Sequence, residues 1–350
     1  MKKINVAIIG VGSFAKALVE GVSFYTKNSD EKIGLMNFLI GGYHVKDINF
    51  VVAFDIDERK VGRKLHEAIS EGGNVTRQIT EPLEYDALVY RGPTLDGVIE
   101  KMKGTFVQES KAPIAEVANI LKEKKVNVVI NLVPSGGDEA TYFYANSALD
   151  AGCSFINCIP TPLAILPEWK EKFETNGLVL IGDDIKSQLG ATMLNRYLLE
   201  LLKMRGILAT KSTQENRGGN ADHYNLLYRA GAKEKSKRET LSSALGESNI
   251  KPSVSFHYTG EPSGHKVVKL NIEGEIFGRT PISISAVIED EISINGAGTV
   301  VDAIRMAQAL VDSGKQSDAD VVAPFLMKCS GKQVSDSQAK EDFLGVRLEN

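Results

Sequence analysis

Residues 183–188 read DDIKSQ and place two carboxylates (Asp183, Asp184), an ammonium (Lys186), a hydroxyl (Ser187) and an amide (Gln188) in six consecutive positions. Such a set can hold a cation, orient a hydroxyl and donate to an anionic oxygen at the same time. It follows the apolar strand Leu178–Ile181 and precedes a helical run that continues through GATMLNR. In an open α/β sheet, ligands bind beyond the carboxyl ends of strands, where helix N-termini offer unpaired amides and partial positive charge. A plain turn in which Asp184 or Ser187 caps the helix needs one such side chain, not five. The cluster therefore reads as a site.

A second set of residues is cationic. Asn216–Asp222 (NRGGNAD) is a polar stretch entering a helix, and Lys233-Glu234-Lys235-Ser236-Lys237-Arg238 follows. On a helix, Lys233 and Lys237 lie four residues apart on one face. Like charges so placed repel, which suits either solvent or the surroundings of an anion. Lys266 precedes an alternating strand and Lys328 follows the apolar run Val321–Met327. Each alone is most simply a surface lysine.

The third set is glycine-rich. Gly10-Val11-Gly12-Ser13-Phe14-Ala15 follows the apolar run Ile4–Ile9 and opens a helical pattern. GxGxxA in that position is a dinucleotide-binding pattern: Gly10 for the tight turn, Gly12 for close approach to a pyrophosphate, Ala15 for helix-on-strand packing. Asp55 ends the second apolar strand, Asn49–Phe54, and suits the hydroxyls of an adenosine ribose, favouring NAD over NADP. The gap from Gly12 to Asp55 exceeds the usual ~20 residues, an excess assigned to an insert at residues 24–48. Arg59, Lys60 and Arg63 stand nearby as alternative receivers of a phosphate.

These groups need elements to position them. A helix is expected over Glu58–Ile69 and another from about Pro113. Val126–Leu132 and Ser154–Asn157 read as strands, the segment after Gly137-Asp138 and Glu168–Thr175 as helices. Strands alternating with helices imply a Rossmann-like, doubly wound parallel sheet. After about Leu202 the segments Ile207–Thr213, Ser253–Tyr258, Val267–Glu275 and Pro281–Ile288 are β-rich, broken by one helical block at Asp222–Leu245. The expected fold class is α/β, with a second α+β domain on an open, largely antiparallel or mixed sheet. The expected division is 1–190, completed by 297–350 after a helix at Gly296–Val311, and 191–296 as the catalytic and oligomerisation domain.

Bulk properties narrow the function. At 350 residues, 43% hydrophobic and 25% charged, the chain has the composition of a soluble globular protein of roughly two domains. A net charge of −4 argues against a nucleic-acid partner. No apolar run is long enough for a bilayer, and the first one enters a glycine motif rather than a cleavage site. Cys153, Cys158 and Cys329 lack metal-ligand spacing and fit a reducing cytoplasm.

Taken together, GVGSFAKALVEGV at 10–22, Tyr43-His44-Val45, AFDID at 53–57, RGPTLDG at 91–97, GDDIKSQLGAT at 182–192, NRGGNADHYNL at 216–226, KEKSK at 233–237, IEGEIFG at 272–278 and FLMK at 325–328 resemble the myo-inositol-1-phosphate synthase (inositol-3-phosphate synthase) family, in its compact prokaryotic type. GDDIKSQ carries most of that specificity. The resemblance implies an NAD-dependent isomerisation of glucose 6-phosphate to 1L-myo-inositol 1-phosphate (1D-myo-inositol 3-phosphate). Carbon 5 is oxidised to a ketone, carbon 6 loses a proton, carbon 6 attacks the carbon 1 aldehyde, and the ketone is reduced again. It implies Lys233, Lys237, Lys266, Lys328, Asp184 and Asp222 as catalytic residues, with Lys237 and Lys266 at the carbon 5 and carbon 1 oxygens. Lys233 and Lys328 share proton transfer and oxyanion stabilisation. Ser187, Asn220, Ser236 and Lys186 bind substrate; Gly10, Gly12, Ser13, Phe14, Ala15, Asp55 and Asp184 hold NAD. A homotetramer is implied, and a divalent or monovalent cation is left open.

Three positions depart from the family pattern. Ile292 stands where an aspartate is usual, ten residues before Asp302, although Asp290 and Glu291 are close by. Ser13 replaces an asparagine, and His265 precedes Lys266 where a more acidic neighbourhood is common. Two competing readings follow: an NAD-dependent dehydrogenase of another phosphorylated or acidic substrate, and a non-catalytic NAD-binding relative.

Overall fold

The computed structural model describes residues 3–245 and 252–348. Six strands form one parallel sheet: β1 (Ile4–Ile9), β2 (Ile48–Asp55), β3 (Leu88–Arg91), β4 (Val128–Asn131), β5 (Ser154–Asn157) and β6 (Leu180–Ile181), in the order β3-β2-β1-β4-β5-β6. That is the doubly wound order whose reversal point, between β1 and β4, opens a crevice at the strands' carboxyl ends. The strands are continuous apolar runs because both faces are covered.

Helix α1 (Ser13–Lys27) follows β1 directly, and α2 is a single turn, Leu65–Ala68. The helix expected over Glu58–Ile69 does not otherwise form. Gly62 takes φ +85°, and residues 62–65 pair with the β3 segment instead, Gly62 N–H donating to Val89 O and Leu65 N–H to Ala87 O at 2.8 and 2.7 Å. Further along, α3 (Val117–Glu123), α4 (Asp138–Ala151) and α5 (Pro167–Thr175) cover the sheet. Pro167 sits at the first turn of α5, where its missing N–H costs nothing.

Helix α6 (Ala191–Met204) leads into the second sheet. Its strands β7 (Leu208–Gly218), β8 (Ser253–Tyr258), β9 (His265–Glu275) and β10 (Pro281–Glu291) lie in the order β10-β9-β7-β8. β9 runs antiparallel to both neighbours and β7 parallel to β8, so the sheet is mixed as expected. β7 reaches Gly218, longer than the sequence suggests, because Asn216–Gly218 pair with β8 and β9. One face of this sheet is covered by α6 and α7 (Ala221–Leu245). Along that face β9 presents Ile272, Leu270, Val268 and finally Lys266, all buried, so an apolar layer ends in a charge.

The chain then returns. α8 (Ile292–Asp312) packs along α1 and joins the core built on β1, β2 and β4 through Val300, Ile304 and Leu310. Helices α9 (Ala319–Leu326) and α10 (Asp336–Gly345) follow. Among the described residues, no helix is long and apolar enough to cross a membrane.

Candidate active site

The turn after β6 is held by the end of the chain. Asp183 N–H donates to Cys329 O (2.6 Å), Lys186 N–H to Leu326 O (2.8 Å) and Lys328 N–H to Asp184 O (2.8 Å), so residues 183–186 pair with 326–329 like a short two-stranded ribbon. Asp184 has φ +61°, a left-handed conformation that aspartate tolerates better than most residues. Neither Asp184 nor Ser187 caps α6, whose N-cap is Gly190 without a side-chain bond. The capping alternative is thereby removed.

This ribbon brings Lys328 to Asp184. Its Nζ lies 2.7 Å from Asp184 Oδ1 and 2.6 Å from Ile185 O. Ser236 Oγ donates to the other carboxylate oxygen at 2.7 Å. Burial raises an aspartate's pKa, but Lys328 and Lys233 outweigh it and hold Asp184 below its ordinary range. From α7, Lys233 Nζ pairs with Asp222 Oδ2, and Asp222 Oδ1 accepts from Ser135 Oγ at 3.2 Å. Burial opposes that charge too, yet Asp222 and Asp184 raise the Lys233 pKa.

One turn on, Lys237 lies over the Phe256 ring, 4.9 Å from its centroid, and donates to Asn216 Oδ1 at 2.9 Å. No carboxylate pairs with it among the described residues. Burial, then Lys266, Lys328 and Lys233, push its pKa well below the usual value. Lys266 reaches in from the start of β9. Burial is the main cause lowering it to about 8, with Lys233 and Lys328 adding to it and Asp290 opposing.

All four lysines line one cavity of about 240 Å³, together with Asp184, Asp222, Ser187, Asn220 and the α6 N-terminus at Gly190–Thr192. Gly12, Ser13 and Phe14 line its other side. A second cavity of about 160 Å³ shares Gly12, Ser13, Leu132, Val133 and Pro134 with it and continues past Gly10 to Asp55. The two adjoin across that shared wall, so a groove with Asp55 towards one end and the four lysines towards the other is outlined.

The glycine turn fits a dinucleotide. Gly10 has φ +88°, and a Cβ there would meet Leu132 O at 2.8 Å; a Cβ at Gly12 meets no protein atom within 4 Å and would stand in the groove itself. Ala15 is fully buried in the core beneath. Ser13 Oγ accepts from Val75 N–H at 3.0 Å. Asp55 accepts from Val11 N–H (2.6 Å) and from the amides of Ile56 and Asp57, which fix its carboxylate at the groove's end. The three nearby cations are otherwise engaged: Arg59 with Asp57, Lys60 with Val11 O at 2.7 Å, and Arg63 with Glu71. That arrangement favours a ribose hydroxyl over a phosphate beside Asp55.

Other members of the polar cluster turn elsewhere. Asp183 is fully buried, takes Asn157 Nδ2–H at 2.7 Å and the amides of Leu163 and Ala164, and serves the turn's architecture. Lys186 lines the cavity, but its ammonium sits 2.6 Å from Asp336 Oδ1 and 2.6 Å from Pro324 O. This buried ion pair also holds Arg196 Nε at 2.7 Å from Asp336 Oδ2. Ser236 is likewise taken up by Asp184 rather than turned to the cavity. Gln188 Nε2 donates to Gly34 O at 2.6 Å.

Ser135, Thr192, His223 and Phe256 also line the groove, beyond the site residues expected from the sequence. The PSGG turn after β4 was a legible signal for Ser135. His223 adjoins Asp222, but nothing in its spacing marks it. Ile292 lines the cavity as an apolar wall. Among the described residues, no group of three or more His, Cys, Asp or Glu side chains is placed to hold a metal ion.

The family model described as myo-inositol-1-phosphate synthase matches residues 190–291. An inositol-3-phosphate synthase of Mycolicibacterium smegmatis is 39% identical over 353 residues, 97% of each chain. One from Corynebacterium glutamicum is 38% identical, covering 97% of this chain and 96% of its own. A solved myo-inositol-1-phosphate synthase-related protein of Thermotoga maritima superposes with a TM-score of 0.82 over 99% of this chain and 100% of that one; at 22% identity it speaks for the fold.

Proposed function

The chain belongs to the myo-inositol-1-phosphate synthase family, and we propose that its groove converts glucose 6-phosphate to 1L-myo-inositol 1-phosphate (1D-myo-inositol 3-phosphate) with NAD recycled. The observation that carries this is the convergence of Lys233, Lys237, Lys266 and Lys328, from α7, β9 and the 326–329 segment, on one cavity continuous with the glycine turn. A dehydrogenase that only removes hydride has no use for four lysines. A reaction that binds a phosphate dianion and develops charge on two further oxygens does.

Bound NAD supplies hydride acceptance and return. The chain's own residues do the rest. The α6 N-terminus, with Ser187 and Thr192, offers donors to the substrate phosphate. Lys237, held well below the ordinary lysine range, is the group fitted to take the carbon 5 hydroxyl proton. Lys266 faces the carbon 1 oxygen. Lys233 and Lys328, each tied to a carboxylate, supply fixed positive charge to the enolate formed when carbon 6 loses its proton. One such donor is worth on the order of 3–4 kcal/mol in the transition state. Asp184 and Asp222 keep those ammonium groups oriented, and Asn220 frames the cavity floor.

The proposal includes the division into 1–190 with 297–350 and 191–296, supported by α8 sharing the core of β1 and β2. A homotetramer is supported by exposed apolar side chains of the second sheet and its hairpin turn, Val287 on β10 at 60% and Phe277 between β9 and β10 at 99% exposure. A cytoplasmic location is supported by three free cysteines. Purified protein with NAD+ and glucose 6-phosphate, followed by phosphorus NMR and nicotinamide absorbance, tests the reaction. Inositol phosphate without net NADH is expected. Stoichiometric NADH would mean a dehydrogenase, and NAD binding without product a non-catalytic relative.

A further inference from the structure

Lys266 is a buried cation at 7% exposure with no ion pair among the described residues. A buried charge without a counter-charge is costly, so its partner has to be found nearby. β9 and β10 pair residue by residue, and Lys266 stands directly opposite Asp290. Opposed residues in an antiparallel ladder put their side chains on the same face. The row continues to Gly218 on β7, which contributes no side chain there.

Three acids end β10: Glu289, Asp290 and Glu291. Strand alternation sends only the middle one to the inner face. Glu289 is exposed beside His265, and Glu291 Oε2 turns to Thr76 Oγ1 and Arg77 N–H at 3.4 and 3.3 Å. Asp290 is fixed differently. Its Oδ2 accepts from Asn295 Nδ2, which also donates to Leu189 O at 2.8 Å, while Asn295 Oδ1 accepts from Leu189 N–H at 3.1 Å. The carboxylate is thus tethered to the polar turn that carries Asp184 and Ser187. Its Oδ1 is buried with no hydrogen-bond partner.

We propose that Asp290 is the positioning residue of Lys266, supplying from the ladder the counter-charge that Ile292 cannot. The ammonium is not locked to it, so it can lean toward a substrate oxygen and return. Charged or titratable groups facing Lys266 are Asp290 from β10, Asp222, His223, Lys233 and Lys237 from α7, and Lys328 from the C-terminal ribbon. Asp290 is the strongest of the charges acting on Lys266 and the main one keeping its proton on. This inference rests on the reading of the groove as a cyclising isomerase.

The test uses the NAD-bound enzyme and Asp290→Asn. Expected are a roughly tenfold to hundredfold loss in kcat, little change in KM or NAD affinity, and an alkaline limb of kcat moved to lower pH. Restored activity in Asp290→Asn with Ile292→Asp supports the assignment. An unmoved limb, or losses of activity, NAD affinity and thermal stability in proportion, overturns it. If the wild-type protein makes no inositol phosphate, the functional reading fails, but the pairing is still read from 13C NMR of the lysine ε-carbons, where Asp290→Asn must lower the Lys266 pKa. Should Asp290→Asn not fold, Ile292→Asp alone must raise that pKa; no shift overturns the pairing.

Discussion

Asn220 Oδ1 accepts two hydrogen bonds from His223, from the backbone N–H and from ring Nδ1, each at 2.9 Å. The backbone donor fixes that atom as the oxygen of the amide, so the ring nitrogen facing it carries the proton and Nε2 is bare. Burial, with Lys233, Lys266 and Lys237, lowers the His223 pKa to about 3 against an ordinary 6.5, overriding Asp222. The imidazole is neutral throughout the physiological range. Nitrogen-15 NMR is expected to find His223 as the Nδ1–H tautomer at pH 7, and a protonated ring there would contradict the geometry.

The same residue makes a linkage prediction. Because the folded pKa is depressed, the unfolded chain binds the extra proton first, and the contribution to stability is complete above pH 6.5 and lost as pH falls toward about 3. Wild type should therefore lose stability relative to His223→Gln across that window in urea unfolding. Parallel curves for the two proteins would remove the argument.

Gly10 and Gly12 separate folding from binding. Gly10→Ala adds a Cβ 2.8 Å from Leu132 O at a φ of +88°, so it should destabilise the fold by about 1–3 kcal/mol. Gly12→Ala meets no protein atom within 4 Å. It should melt near wild type yet bind NAD at least tenfold more weakly, by calorimetry. Equal NAD affinity in Gly12→Ala would place the pyrophosphate elsewhere.

Lys237→Ala should lower turnover of glucose 6-phosphate by about 10²–10⁴-fold while NAD binding persists. Wild-type turnover in that variant would end its role as proton acceptor.

Asp336 lies between two buried cations, 2.6 Å from Lys186 Nζ and 2.7 Å from Arg196 Nε. Asp336→Ala removes the carboxylate the two share, leaving Lys186 with only Pro324 O and Arg196 with Glu200 at 3.8 Å, and should cost about 3–5 kcal/mol in denaturant unfolding. A loss below about 1 kcal/mol would mean that the cations find other partners.

How far these features could be read in advance depends on distance along the chain. The glycine turn and DDIKSQ are local patterns whose chemistry sits in consecutive residues, and the parallel order follows from strand–helix alternation. The ion pair of Lys186 is not legible locally, because its partner, Asp336, is 150 residues away. The bond of Ser236 to Asp184 is hidden for the same reason, since Asp184 is 52 residues before it. The helix expected at Glu58–Ile69 gave way to pairing along β3, a competition between local propensity and a sheet edge that periodicity does not resolve. His223 lies within NRGGNADHYNL, but its neutral state comes from burial and its tautomer from the Asn220 amide, neither of which the motif states.

The ribbon joining residues 183–186 to 326–329 has a consequence for synthesis. On the ribosome, Gly10 and Gly12 are made more than 300 residues before Lys328 and Asp336. A nascent chain halted between the two pairs holds the glycine turn without the segment that completes the lysine wall, so the catalytic wall closes only after residues 326–329 have joined 183–186.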